Sequence, residues 1–303
     1  MNYMTRGLGT LVAVVALIGI SGCGDDTTSP PAATTTTAVP ASLAADKVTQ
    51  LDIDGGDFFF DLNGTTSVPA GSVDVNFTNT GTMEDHIVMF LLPKPGHTYD
   101  EVVEAANTDF TGLKAQPLAD FYGGVNAVHP GESQTSRLNL DPGEYVVGCF
   151  IPSQTDLKPH SVKGMVTKLV VTPPTDGEVK FVEPPNVKGT LDQTDFAFTI
   201  PKDFDGKGTW KVSNSGAQLH ETGIAKLDDG KTAADVSAFF AGIPIPPAPF
   251  IGAGGFGANS PGKDGYITLD LAPGNYVFVC LVGDPTNNKL HIAEGMVDSF
   301  SVT

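Results

Sequence analysis

The chain has 303 residues, with 35 acidic and 17 basic side chains and a formal net charge of −18. That length allows two domains of ordinary size. The charge argues against nucleic-acid binding and against a polybasic contact with anionic lipid, and a partner docking through charge should bring a basic patch. Charged residues are scarce, while the 35 Gly and 23 Pro suit short strands joined by turns better than long helices.

The N-terminal segment reads as a targeting signal. Arg6 is the positive region, and the apolar run from Leu8 to Ile20 is too short for a comfortable membrane span. It ends in Ile20-Ser21-Gly22-Cys23, which resembles the lipobox of bacterial lipoproteins. The resemblance implies a signal peptide over residues 1–23 and lipidation of Cys23. It also implies a place in the cell envelope, anchored to the extracytoplasmic face of the membrane. Residues 24–46 are rich in Thr, Ala, Pro, Ser and Asp without apolar periodicity, the composition of a flexible tether.

Beyond residue 46 the pattern is that of β-structure. Val73, Val75 and Phe77 alternate with polar residues, as in a half-buried strand, and Asn79-Thr80-Gly81 is a turn. His86 opens an apolar run, Ile87 to Leu92, that reads as a buried strand. A short helix is expected at Asp100–Asn107. Leu138 and Leu140 alternate, Pro142-Gly143 turns the chain, and Tyr145, Val147 and Cys149 share one face of the next strand. Val166 to Val171 closes the first unit, and Pro173-Pro174 opens a linker. A second helix is expected at Ala233–Ala241, followed by an apolar Pro/Gly-rich loop, Gly242 to Asn259.

The two halves repeat with an offset of 131 residues. Pro130-Gly131 matches Pro261-Gly262, Pro142-Gly143 matches Pro273-Gly274, and Tyr145 matches Tyr276. Cys149 matches Cys280, His160 matches His291, and Gly164-Met165 matches Gly295-Met296. Upstream, Asn79-x-Gly81 with His86 corresponds to Asn214-x-Gly216 with His220, after a small change of length. Many short strands and little helix indicate two tandem β-sandwiches, one over residues 47–173 and one, with its linker, over 174–303.

With Cys23 lipidated, one cysteine remains in each half. A bridge between Cys149 and Cys280 is one reading, and a free thiol held as a metal ligand in each repeat is the other. Each half carries Cys-x10-His-x3-Gly-Met, with another His about sixty residues upstream. Copper that cycles between Cu(I) and Cu(II) suits two imidazoles and a thiolate in a near-trigonal plane with a weak axial thioether. Zinc could use the thiolate and imidazoles, but it leaves the Met unexplained.

These motifs resemble the cupredoxin family, which includes plastocyanin-like blue copper proteins. The matching residues are Gly143-Glu-Tyr145-Val-Val-Gly-Cys149, His160 and Gly164-Met165-Val166. In the second half they are Gly274-Asn-Tyr276-Val-Phe-Val-Cys280, His291 and Gly295-Met296-Val297. The resemblance spans roughly residues 47–173 and 178–303. It implies an all-β fold of two Greek-key sandwiches and one or two type 1 copper ions. One site would use His86, Cys149, His160 and Met165, and the other His220, Cys280, His291 and Met296. The ten-residue gap between Cys and His is longer than in small blue copper proteins.

Catalysis is not expected. Two-domain copper enzymes build a second centre partly from histidines flanking the Cys, but here Gly148 and Phe150 flank Cys149, and Val279 and Leu281 flank Cys280. Only His97 and His129 remain outside the ligand sets, and both read as structural or incidental. Asp85 and Glu221, beside the upstream histidines, read as orienting or solvent-facing groups. The favoured expectation is a one-electron carrier with a basic redox partner. The alternative is a non-redox module, either copper-sequestering or metal-free, for interactions in the envelope.

Overall fold

The computed structural model describes residues 48–303 apart from 176 and 243–246. The signal segment, Cys23 and the whole of the tether lie outside the described residues. Among those described, no helix is long and apolar enough to cross a membrane.

The first repeat contains β1 (Thr49–Gly56), β2 (Phe59–Asp61), β3 (Ser67–Pro69), β4 (Gly71–Asn79), β5 (His86–Pro93), helix α1 (Tyr99–Thr108), β6 (Ala119–Val128), β7 (Ser133–Leu140), β8 (Gly143–Gly148) and β9 (Val166–Thr172). The second contains β10 (Val187–Thr194), β11 (Ala197–Thr199), β12 (Lys207–Asn214), β13 (His220–Leu227), helix α2 (Ala233–Phe240), β14 (Phe250–Asn259), β15 (Asp264–Asp270), β16 (Gly274–Val279) and β17 (Val297–Val302). Both helices fall where the sequence places them. Each starts with a capping box, Thr98 with Glu101 and Thr232 with Asp235, in which side chain and backbone satisfy each other's free groups.

Each repeat is a two-layer sandwich. In the first, β4 crosses to β5, β5 pairs with β6, β7 returns to pair with β4, and β8 crosses back to pair with β5, a Greek-key path. The alternation of β4 explains its two faces: Val73, Val75 and Phe77 are fully buried, and the intervening polar residues look outward. Tyr145 and Tyr276 lie deep in the core, and their hydroxyls donate to the carbonyls of Asp141 and Ala272, four residues upstream. Each tyrosine thus ties the Pro-Gly turn to the core while its buried hydroxyl stays satisfied.

The repeats are not beads on a linker. Their layers join edge to edge into one eight-stranded and one nine-stranded sheet. β7 pairs with β15 and β6 pairs with β14, so each edge strand meets its own counterpart, as across a twofold dimer axis. Edges that would otherwise present unpaired N–H and C=O groups are covered in this way. One hydrophobic core runs through both repeats, from Phe77, Phe90 and Tyr145 to Trp210, Phe256 and Phe278.

Candidate metal centres

The upstream histidine of each site is the first residue of a strand, His86 of β5 and His220 of β13. A buried asparagine shapes the loop before it. Asn79 donates to the carbonyls of Glu84 and Val128 and accepts from the N–H of Gly81; Asn214 does the same with Gln218, Asn259 and Gly216. The glycine of this turn is required by a close approach. A methyl group on Gly81 would stand 2.7 Å from Asp57 Oδ1 and 3.1 Å from His86 Nε2, and one on Gly216 would stand 2.9 Å from His220 Nε2.

The remaining candidates lie on the connection between the last two long strands of each repeat. Cys149 follows β8 and Cys280 follows β16, each one residue beyond the strand that the sequence would extend to it. His160 and His291 open single 3-10 turns, and Met165 and Met296 immediately precede the closing strands. Backbone hydrogen bonds close this loop on itself. The Cys149 N–H donates to the Met165 carbonyl, and the Met165 N–H donates to the His160 carbonyl; Cys280, Met296 and His291 repeat the pattern. Gly164 and Gly295 adopt φ of 126° and 107° at the turn into methionine, a region that disfavours side chains.

All eight side chains are fully buried. His86, Cys149 and His160 bring one donor atom each within 4.8 Å of one another, and His220, Cys280 and His291 do the same. In the first group His160 Nδ1 lies 3.4 Å from Cys149 Sγ and 3.2 Å from His86 Nδ1. In the second, Cys280 Sγ lies 3.4 Å from His291 Nδ1 and 4.0 Å from His220 Nδ1. Met165 shares a buried cluster with Cys149 and Ile87, and Met296 shares one with Cys280. Cys149 and Cys280 are both free, so no bridge joins the repeats. Backbone N–H groups of Ile87 and Glu221 point at the two sulfurs from 3.4 Å, a placement that favours thiolate.

Burial sets the electrostatics. It pushes the Cys149 thiol up to about 12 and raises Cys280 as well, where the neighbouring Glu221 adds to the effect. It lowers His86 to about 4, helped by the His160 charge, and His291 to about 4, helped by His220. Neutral imidazoles are therefore ready to donate lone pairs near neutrality. A buried thiolate needs a compensating cation, which a metal ion would provide.

Each repeat is thus a Greek-key β-sandwich with one such buried group. No family model and no curated protein sequence matches the chain. Solved structures similar to it include an auracyanin from the photosynthetic bacterium Roseiflexus castenholzii, at 23% identity over 41% of this chain and 98% of that one, with a TM-score of 0.30. Auracyanin A of Chloroflexus aurantiacus is 20% identical over 42% of this chain and 100% of that one, with a TM-score of 0.30. A blue copper oxidase from Nitrosomonas europaea is 16% identical over 80% of this chain and 82% of that one, with a TM-score of 0.26.

The donor set of each repeat, one thiolate, two imidazoles and a nearby thioether, fits copper chemically. Polar groups behind the histidines escaped the sequence reading. His160 Nε2 lies 2.8 Å from Glu84, His220 Nε2 2.6 Å from Asp195, and His291 Nε2 3.1 Å from Gln218 Oε1. Burial alone would raise Glu84, yet hydrogen bonds from His160, the Gln154 N–H and Ser153 hold it below the usual carboxylate range. Asp195 is likewise lowered against burial, by His220 and the N–H groups of Ala217 and Gln218. Ionised carboxylates only accept, so Nε2 carries the proton in His160 and His220, and Nδ1 turns its lone pair toward sulfur.

The residues set aside take other places. Glu221 neither orients His220 nor faces solvent: it is buried at the junction of the repeats and accepts from Asn126 Nδ2 and the Leu281 N–H. Asp85 accepts from the Gly252 N–H across the same junction and lies 2.8 Å from His129 Nδ1. His97 sits near Glu101 at the start of α1, on the surface.

Proposed function

We propose that this chain binds copper at two type 1 centres, one per repeat, and carries single electrons at the outer face of the membrane, held there by lipid on Cys23. The carrying observation is the pair of fully buried His–Cys–His groups, each with a buried methionine on the same loop. His86, Cys149, His160 and Met165 would hold one ion, and His220, Cys280, His291 and Met296 the other. Bound copper would supply a Cu(I)/Cu(II) couple.

The protein's own part is to fix the donors and keep water out. The upstream imidazole is set at the head of a strand and by a buried asparagine, and the loop ligands by hydrogen bonds across their own turn. Donors so held have little freedom to rearrange between the two copper states. The chain's large negative charge suits a redox partner with a basic docking patch.

Loading residues 24–303 with Cu(II) tests this reading. An intense visible thiolate-to-copper band with narrow parallel hyperfine splitting is expected. A colourless protein with only a weak tetragonal copper signal would instead indicate a sequestering or metal-free role. Anchoring is tested separately by Cys23→Ser, which should release the protein from the membrane fraction; an equally bound and equally processed variant would refute the lipid anchor.

A further inference from the structure

The two centres repeat each other in sequence, yet the groups behind their histidines do not repeat. In the first repeat the loop histidine, His160, has a carboxylate behind it, Glu84, which also accepts from Ser153 Oγ at 2.9 Å. In the second, the residue in that role is neutral Gln218, and the carboxylate stands one step further out, where Asp284 accepts from Gln218 Nε2 at 3.2 Å. Ser153 and Asp284 are 131 residues apart, so the repeats hold the same chain of three in opposite order: imidazole, carboxylate, neutral group, against imidazole, amide, carboxylate.

The strand histidines differ in the opposite sense. His220 Nε2 meets Asp195, whereas His86 Nε2 is buried with no hydrogen-bond partner. Asp57 stands in the first repeat where Asp195 stands in the second, and both serve the turn before the histidine. The two aspartates differ in one side-chain donor, the Thr82 hydroxyl. The Thr82 N–H and hydroxyl take Asp57 Oδ1 and Oδ2, both at 3.0 Å. Ala217 occupies that place in the second repeat and has no hydroxyl: Asp195 accepts from the N–H groups of Ala217 and Gln218, and its Oδ1 also takes His220.

We propose that Glu84 and Asp195 are positioning residues that make the two copper centres inequivalent, by holding the loop histidine of the first and the strand histidine of the second, with Thr82 as the device that keeps Asp57 away from His86. The proposal rests on the copper reading above. A carboxylate behind an imidazole strengthens that ligand's donation and favours Cu(II) over Cu(I), and such outer partners change metal affinity by about 10–100-fold. Asp57 moved onto His86 should thus raise the Cu(II)-to-Cu(I) affinity ratio of the first centre about tenfold, which for a one-electron couple is a fall of about 59 mV.

The test uses exchange variants in the full protein, each with the other centre silenced: Thr82→Ala with Cys280→Ser, and Ala217→Thr with Cys149→Ser. Spectroelectrochemistry should find the first centre's potential lowered and the second's raised. Nitrogen-15 NMR of the imidazoles without metal gives an independent readout. Thr82→Ala should add a strongly hydrogen-bonded Nε2 proton at His86, and Ala217→Thr should remove the one at His220. If copper does not bind at all, the function above fails, and the imidazole spectra still decide the hydrogen-bond exchange. Unchanged His86 and His220 resonances would overturn the proposal, as would changed resonances with unmoved potentials in copper-loaded protein.

Discussion

One buried aromatic ring is packed at the junction between the repeats. Phe256, in β14, is fully buried and opposes Val125 of β6. A methyl group on Gly123 of the first repeat would stand 2.3 Å from this ring, and one on Gly265 of the second would stand 2.4 Å from it. The ring therefore fills the space between the two sheets where the repeats meet. Phe256→Ala should cost about 3–5 kcal/mol by loss of burial and by the cavity left behind. Gly123→Ala should cost about 1–2 kcal/mol for a side chain at φ 82°. It should cost a further 1–3 kcal/mol, roughly, for crowding the ring. With the ring gone the crowding disappears, so the double variant should be less destabilised than the sum of the singles by about 1–3 kcal/mol. Urea denaturation of all four proteins measures this coupling. Additivity within about 0.5 kcal/mol would refute the seating of Phe256 on Gly123.

Two further outcomes follow from the same structure. Tyr122, Asp141 and Lys263 join the repeats at the rim of the core, with the buried Tyr122 donating to Asp141 at 2.5 Å and Lys263 donating to both. Burial would raise Asp141, but hydrogen bonds from Tyr122 and Lys263 lower it below 3.8, so its contribution is present above 3.8 and is lost as pH falls through the lower folded value. The stability gap between wild type and Asp141→Asn should be below about 1 kcal/mol, because the ion pair is partly exposed and screened by solvent, and should close under acid titration; a gap that widens in acid would contradict the sign. Met165→Leu and Met296→Leu should retain copper and shift only the spectrum and potential of their own centre, since an axial thioether is a long, weak bond; loss of metal on dialysis would give the methionines a larger share of the binding.

The eight candidate ligands were legible because both copies carry them at matching spacing and because a thiolate, two imidazoles and a thioether form a recognisable chemical set. Strand alternation in Val73, Val75 and Phe77 and the positions of both helices were equally readable. The carboxylates were not. Glu84 and Gln218 differ between the repeats, and the loop before each histidine differs in length, so no repeated letter marks the position. Asp195 reaches His220 from a separate strand connection, which only the folded chain brings near. Edge-to-edge joining was also hidden, because a strand that pairs with a neighbouring repeat has the same apolar alternation as one that ends a sheet. Glu221 illustrates the same limit: its type suggests solvent, and only the junction of the repeats buries it with Asn126.

Copper stoichiometry of wild type, Cys149→Ser and Cys280→Ser, read with the visible spectrum of each, tests the central claim most directly. The arrangement of ligands within single repeats predicts two ions per chain in wild type and one in each variant, with the surviving thiolate-to-copper band unaltered. A single ion in wild type, with both variants disturbed in the same band, would contradict independent centres and point to one ion shared between the repeats.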